Sequence, residues 1–143
     1  MITIPAALLR EIHAAAEGAY PRECCGLLLG RRAGAAVAVT RVVPSRNMAP
    51  GEQRDSFEVD PQVRFDAMRA VAGTDQDIVG HYHSHPDHPA RPSARDLAMA
   101  YEPALAWLIT SVMDGRAAET TAHLLDPAAG RFRRLDLRIG DGP

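Results

Sequence analysis

The chain has 143 residues and a mass of 15.4 kDa, a length that suits one compact domain and hardly two. Hydrophobic residues make up 46% of the sequence and charged residues 24%, which is ordinary globular composition and excludes an intrinsically disordered chain. The formal net charge of −2 argues against nonspecific binding to nucleic acid, and no apolar run approaches the roughly 18–20 residues of a membrane-spanning helix.

The N-terminal residues 1–5 lack the basic segment and the long apolar run of a secretory signal. Cysteine occurs only as the pair Cys24-Cys25, which is neither a disulfide framework nor a zinc-ribbon spacing. We therefore expect two reduced thiols in or near the core of a cytoplasmic protein.

The first half of the chain predicts one helix followed by a strand hairpin. Apolar residues recur at spacings of three and four over residues 5–19, which is typical of an amphipathic helix. Two apolar runs separated by a polar, glycine-containing segment indicate a hairpin. The predicted elements are a helix at 5–19, strands at 25–30 and 35–43 around a turn at 31–34, a loop at 44–54 and a short strand at 56–59.

The second half alternates helices and strands. Asp60-Pro61 opens a helix whose apolar face is predicted to hold Val63, Met68 and Val71. Three prolines exclude regular structure from residues 85–92. The remaining predicted elements are a strand at 78–83, a helix at 93–101, a strand at 105–112, and a hairpin of strands 119–125 and 132–139 around residues 126–130.

This mixture of helices, hairpins and single strands favours the α/β class, with a mixed β-sheet flanked by helices, over a purely parallel doubly wound fold. The sequence has no internal repeat, low-complexity tract or linker. We therefore predict a single domain over residues 1–143.

Four of the six histidines lie within residues 80–89. His83 and His85 stand two apart, so in an extended segment their imidazoles share a face with Cα atoms roughly 6–7 Å apart. Asp96 follows near the start of the next predicted helix and can supply a carboxylate oxygen. Two imidazoles and one carboxylate form three zinc ligands that leave a fourth position open for water, which is the catalytic arrangement.

Each of these residues also has a simpler explanation. Ser93 and Asp96 stand three apart, so Ser93 can serve as a helix N-cap and Asp96 as a favourable charge in the first turn. His81 and His88 read as surface residues of a polar loop. Glu23 reads as a solvated acid in the turn after the first helix.

Two segments of the chain resemble the JAMM (MPN+) metallopeptidase family. The family signature is His-x-His, ten residues and Asp, and it is matched by GHYHSHP at residues 80–86 with PSARD at residues 92–96. The segment PRECCGLLLG at residues 21–30 is similar to the family's glutamate-bearing strand entrance. The order of the predicted elements fits as well, so the resemblance covers most of the chain.

The resemblance implies a cytidine-deaminase-like JAMM/MPN sandwich and a role for five residues. His83, His85 and Asp96 would bind one zinc ion per chain with a bound water. Glu23 would activate that water as general base, and Ser93 would stabilise the oxyanion of the transition state. Neither cysteine is needed as a nucleophile.

The implied function is that of a zinc metallopeptidase or isopeptidase. Compact relatives with Glu-Cys-Cys-Gly and His-Tyr-His-Ser-His-Pro act on ubiquitin-like sulfur-carrier proteins, so hydrolysis after a C-terminal Gly-Gly of such a partner is expected. Residues 44–54 and 86–92 are predicted to form the walls of the groove for the substrate tail. Nucleic acid and membranes are not expected as partners.

Two alternatives remain at this point. A non-catalytic MPN scaffold would carry no stoichiometric zinc, and a general deubiquitinase-like isopeptidase would act on a different partner. Both a monomer and a homodimer are compatible with the sequence.

Overall fold

The structure is a computed structural model that describes residues 1–140. Its secondary structure comprises three helices and eight strands within these residues. In chain order they are β1 (Ile2–Ile4), α1 (Ala6–Ala19), β2 (Cys25–Ala33), β3 (Ala36–Ser45), α2 (Pro61–Val71), β4 (Asp77–Pro86), α3 (Ala94–Ala98), β5 (Ala106–Met113), β6 (Arg116–Asp126), β7 (Arg131–Leu135) and β8 (Leu137–Ile139).

All of the described strands belong to one sheet, in the order β7-β6-β5-β4-β2-β3-β1-β8. The pairings β2–β3, β2–β4, β5–β6 and β6–β7 are antiparallel. The pairings β4–β5, β1–β3 and β1–β8 are parallel. The predicted mixed sheet is confirmed, and β4 lies near its centre between β2 and β5.

The sheet is covered by helices on both faces, because apolar side chains alternate along its central strands. On one face α1 packs through Leu9 and Ile12 onto a core that includes Leu28 and Leu108. On the other face α2 packs through Ala67 onto a second core of buried side chains, which are Leu27, Leu29, Ile78 and Leu105. The predicted α/β class is therefore confirmed.

Helix α2 begins where the sequence predicts, and its predicted apolar face packs against the second core except at Met68. The Asp60 side chain accepts a hydrogen bond from the Gln62 amide and Pro61 occupies the first turn, as expected of a helix start. Val63 and Val71 pack against the second core together with the buried Ala67. Met68, which the sequence predicts on the same face, is 53% exposed, because one residue along a helix is a turn of about 100° away from Ala67.

Several predicted element bounds are wrong, and long-range pairing explains most of the differences. Residues 56–59 form only an isolated bridge between Asn47 and Val59. The turn predicted at 31–34 is shorter, because β2 continues to Ala33. The helix predicted at 93–101 is the short α3. The predicted strand 132–139 is split between β7, which pairs with β6, and β8, which pairs with β1 at the opposite edge of the sheet.

The segment predicted to lack regular structure begins two residues too early. His85 and Pro86 belong to β4, where they pair with Ser111 and Val112 of β5. Strand β1 was not predicted from the sequence, since three residues give too short a pattern. The predicted domain runs to residue 143, and its last three residues lie outside those described.

No helix in residues 1–140 is both long and apolar enough to cross a membrane.

Candidate metal centre and active site

Strand β4 carries two of the predicted metal ligands on one face of the sheet. His83 stands opposite Cys25 of β2 and next to Ile109 of β5, in the middle of the sheet. His85 follows two residues later, so its side chain points to the same face. Both side chains are buried, with 0% of His83 and 5% of His85 exposed.

The structure brings these histidines together with Asp96. The Nε2 atoms of His83 and His85 lie 3.0 Å apart. The Asp96 carboxylate lies 3.3 Å from His83 Nε2 and 3.1 Å from His85 Nε2. The three side chains form the group within residues 1–140 that could hold a metal ion, with one ligand atom from each lying within 4.8 Å of the others.

Asp96 is fixed in place by the start of α3. The Ser93 side chain accepts a hydrogen bond from the Asp96 amide at 3.0 Å, and the Ser93 amide donates one to the Asp96 carboxylate at 2.9 Å. This reciprocal pair is a capping box. The N-cap explanation of Ser93 and Asp96 is thus correct, and it coexists with the placement of the Asp96 carboxylate beside the histidines.

The His85 ring is oriented through its far nitrogen. Its Nδ1 lies 3.0 Å from the carbonyl oxygen of Pro89, and because a carbonyl only accepts, Nδ1 carries a proton. The Nε2 atom faces Asp96 and His83 and is the nitrogen left to bind a metal ion. A backbone carbonyl on the far nitrogen is the usual support of a metal-binding histidine.

The donor set fits a divalent metal. Two imidazole nitrogens and a carboxylate oxygen are the ligands that zinc takes in catalytic sites. Burial lowers the pKa of His83, so its imidazole is neutral and able to ligate. Burial is also the largest influence on Asp96 and acts to raise its pKa, but hydrogen bonds from His83 and His85 outweigh it and hold the pKa below the ordinary value. The carboxylate is therefore ionised.

Glu23 lies beside this group, at the entrance to β2. It borders the same cleft as His85 and Ser93, a space of about 390 Å³. The residue is 4% exposed, and its Oε1 has no hydrogen-bond partner among the residues described. Burial, reinforced by the charge of Asp96, raises the pKa of Glu23 to about 9. The expectation of a solvated acid is therefore wrong.

A second, larger cleft continues from the first. It has a volume of about 560 Å³ and shares Asp55, His88 and Arg95 with the cleft that Glu23 borders. Its walls come from residues 50–56 on one side and from Pro86, Asp87 and His88 on the other. These walls overlap the two segments that the sequence predicts to form the substrate groove.

Two aromatic residues that the sequence did not point to lie against His83. The ring of Phe57 stacks on the His83 imidazole, with centroids 4.2 Å apart and planes inclined by 15°. Trp107 of β5 meets the same imidazole edge-on at 5.6 Å. Both contacts join residues that are far apart in the sequence, so no local pattern predicts them. Aromatic residues make up only 5% of the chain, and this scarcity was the one feature of the sequence that could have drawn attention to Phe57 and Trp107.

His81 is not the loop residue that the sequence predicts. It lies within β4 and packs edge-on against Trp107 with ring centroids 4.3 Å apart. Burial lowers the pKa of His81 to about 3, so its ring is neutral. His88, by contrast, is exposed on the loop after β4, as predicted.

The two cysteines are free and buried, as the sequence predicts. Cys24 contributes to the core beneath α1. The Cys25 thiol lies on the other face, near the carbonyl oxygens of Ser45, Arg46 and Glu58. Burial raises the pKa of Cys25 to about 12, so this thiol is not ionised near neutral pH.

Comparisons with known proteins place the chain in a family. Residues 5–124 match the family model described as prokaryotic homologs of the JAB domain. The chain is 36% identical over 132 residues to the desampylase of Haloferax volcanii, covering 92% of this chain and 88% of that protein. It is 34% identical over 100 residues to the probable TtuB-protein conjugate cleaving protease of Thermus thermophilus, covering 70% and 64% of the two chains.

The fold is also that of a solved structure with low sequence identity. The JAB1/MPN domain protein AF2198 from Archaeoglobus fulgidus superposes with a TM-score of 0.61 at 18% identity, covering 97% of this chain and 99% of that one. The predicted sandwich of helices around a mixed sheet is therefore confirmed by comparison as well as by the strand order.

Proposed function

Since the chain belongs to the family of prokaryotic homologues of the JAB domain, we propose that it is a zinc-dependent peptidase or isopeptidase acting on a ubiquitin-like protein. The family assignment and the relatives named as a desampylase and a protease confirm the predicted hydrolase. The proposal adds the metal, the residue roles and the position of the cleaved bond, which follows a C-terminal Gly-Gly.

One observation carries the proposal. Three buried ligand atoms of His83, His85 and Asp96 converge, and a buried carboxylic acid and a serine border the same cleft. Burying so many polar groups together is costly unless they are paired or coordinate a metal ion. A hydrolytic metal site accounts for all of these groups at once.

His83, His85 and Asp96 would hold the metal. A zinc ion bound there supplies Lewis-acid chemistry, lowering the pKa of water and polarising the carbonyl group of the substrate. The protein contributes orientation, since Pro89 fixes the His85 ring and the capping box fixes the Asp96 carboxylate.

Glu23 would act as general base and then as general acid. It takes a proton from the attacking water at a carboxylate oxygen and passes it to the leaving amine. In the metal-free protein burial keeps this carboxyl group protonated. The Glu23 carboxyl group therefore ionises near neutral pH only when a positive charge lies beside it. A metal ion bound by the neighbouring ligands would supply that charge.

Ser93 would stabilise the developing oxyanion. Its oxygen already accepts the Asp96 amide as the helix cap, and its hydroxyl hydrogen remains available as a donor. A single donor of this kind typically contributes about 3–4 kcal/mol in the transition state.

The proposed substrate is a ubiquitin-like sulfur-carrier protein or its conjugate. Support comes from the relative that is named for cleaving TtuB-protein conjugates. The two clefts share Asp55, His88 and Arg95, and the smaller one borders Glu23 and His85. Peptide tails are commonly bound extended, along a sheet edge or in a groove of this kind.

The test is mass spectrometry of ubiquitin-like carriers extended beyond Gly-Gly, before and after incubation with the metal-loaded protein. We expect cleavage after the second glycine, loss of cleavage with a chelator and recovery on adding zinc. Glu23→Gln serves as the inactive control. Cleavage of unrelated peptides with every Gly-Gly tail left intact would overturn the substrate; a protein that carries no metal and cleaves nothing would overturn the activity.

A further inference from the structure

The loop between β3 and α2 contains the single asparagine of the chain, Asn47. We propose that Asn47 is a positioning residue that holds Glu23 and Phe57 in place, and thereby sets both the proposed base and the orientation of the His83 ring. The inference rests on the proposed function for its catalytic consequence, although its structural part is independent of that function.

The Asn47 side chain uses its full hydrogen-bonding capacity. Its Nδ2 donates to the carbonyl oxygens of Glu23 at 3.2 Å and Ser56 at 3.0 Å. Its Oδ1 accepts the amides of Ala49 at 2.9 Å and Glu58 at 3.1 Å. An asparagine amide offers two donors and two acceptor lone pairs, so every one is satisfied by backbone.

Glu23 is held through its own backbone on both sides. Its carbonyl oxygen accepts the hydrogen bond from Asn47, and its amide donates to the carbonyl oxygen of Gln53 at 2.7 Å. The Gln53 side chain in turn donates to the Asn47 carbonyl at 2.8 Å. Because β2 begins only at Cys25, Glu23 makes no hydrogen bonds in the sheet. Its backbone is instead held by the loop between β3 and α2.

Phe57 is held by the same side chain. The residues before and after it, Ser56 and Glu58, both bond to Asn47. Phe57 then stacks on His83 at 4.2 Å. This stacking is important because His83 Nδ1 has no hydrogen-bond partner within residues 1–140, so packing takes over the orienting role that a hydrogen bond performs for His85.

The Asn47 side-chain amide therefore fixes both the position of Glu23 and the position of the Phe57 ring that packs on His83. Removing its donors releases the Glu23 and Ser56 carbonyls together, while the ligands His85 and Asp96 keep their own supports. A displacement of about 1 Å in a catalytic group can cost about 100-fold in rate. The loss is thus expected in turnover more than in substrate binding.

The test is the isosteric Asn47→Asp, which keeps the acceptor and removes both donors. In the metal-free protein we expect hydrogen exchange at the Glu23 amide to accelerate about 10-fold, and the His83 ring-proton shifts caused by Phe57 to change. In the zinc-loaded enzyme we expect kcat to fall about 10- to 100-fold while KM stays within about 3-fold.

Gln76→Glu is the matched control, because it makes the same amide-to-acid change at a half-buried position before the start of β4, away from His83. It should leave kcat, KM and the Glu23 amide exchange as in the unaltered protein. If Asn47→Asp does not fold, Gln53→Ala provides a milder release, since it removes the side-chain bonds to the Asn47 and Ala49 carbonyls and should show the same kcat loss on a smaller scale.

The outcomes separate the two proposals. A folded Asn47→Asp protein with unaltered kcat and unaltered Glu23 exchange overturns the positioning role, and so does an equal loss in Gln76→Glu. Faster exchange and shifted His83 signals in a protein that cleaves nothing even when unaltered support the positioning role and overturn the proposed function instead.

Discussion

Glu23 illustrates how far a single residue can depart from its expected environment. A glutamate after a helix is ordinarily solvated, yet here burial and the neighbouring Asp96 keep the carboxyl group protonated in the metal-free state. The sequence pointed to His83, His85 and Asp96 as ligands, because two histidines on one strand face and an acid in a helix cap are local patterns. The resemblance to a known family added Glu23 and Ser93. Asn47 and Phe57 were missed, since their contacts join residues that are distant in the sequence.

Glu23→Gln should retain zinc and lose turnover by about 100-fold or more, because the amide keeps the size of the side chain but cannot accept the proton. Metal content by atomic emission and steady-state cleavage of a Gly-Gly-extended carrier measure the two effects. Full activity in this variant would show that Glu23 is not the base.

His85→Ala should lose the metal as well as the activity, because it deletes one of three converging donors. Competition with a chromophoric chelator measures the affinity, and a loss of at least about 100-fold is expected. His88→Ala is the control, since His88 is exposed on the following loop and should leave the affinity unchanged. Equal affinity in both variants would contradict the assigned ligand.

Ser93→Ala should lower kcat by about 100- to 1,000-fold while zinc occupancy stays nearly intact. The variant also removes the cap of α3, so a helix effect of about 1 kcal/mol on stability is expected. Ser93→Thr keeps both the cap and the hydroxyl and should recover most of the rate. If Ser93→Thr is as slow as Ser93→Ala, the donor role is wrong.

Strand β4 is the element that organises the site. It aligns His81, His83 and His85 on one face, and both of its neighbours run close beside it. The sequence predicted the existence of β4 correctly but ended it too early, because the parallel pairing with β5 carries the strand through His85 and Pro86. A proline usually ends a strand, whereas Pro86 stays in β4 because it pairs with Val112 of β5.

Gly80→Ala should destabilise the protein by about 1–3 kcal/mol, because a Cβ there would lie 2.4 Å from the Ala106 carbonyl oxygen of the adjacent strand. Gly18→Ala is the matched control: a Cβ at that helical position meets nothing within 4 Å and should stabilise by about 0.5–1 kcal/mol. Thermal unfolding measures both, and a Gly80→Ala protein as stable as the original would contradict the close strand approach.

The whole molecule should respond to pH through groups that burial holds neutral. The pKa of Glu23 is raised from 4.5 to about 9, so the folded metal-free protein binds more protons than the unfolded chain between these values, and stability falls as pH rises through this range. The pKa of His81 is lowered to about 3 and that of His123 to about 4. The stability they contribute is complete above 6.5 and is lost as pH falls toward those values.

Metal-free protein should therefore be most stable in the mildly acidic range and lose stability on both sides. The loss attributable to Glu23 amounts to at most about 1.4 kcal/mol per pH unit on the alkaline side. Denaturant unfolding between pH 6.5 and about 9, where the histidines no longer titrate, measures it, and Glu23→Gln should flatten that limb. An identical alkaline slope in both proteins would contradict a buried, neutral Glu23.

At this scale the sequence predicted the α/β class, both long helices and most strands, because hydrophobic periodicity is local. It did not predict that Met68 is exposed, nor that residues 132–139 divide between two strands at opposite edges of the sheet. Those features depend on packing and strand pairing between residues that are far apart in the sequence. The single domain over residues 1–143 stays a prediction.

The strand order also has a consequence for folding kinetics. Strand β1 lies between β3 and β8, so the first strand of the chain completes its pairing only when one of the last has arrived. Closing so long a loop is slow compared with forming the hairpins of the centre. We expect the hairpins β2–β3 and β5–β6 to form early, and the pairing of β1 with β8 to form in a late step.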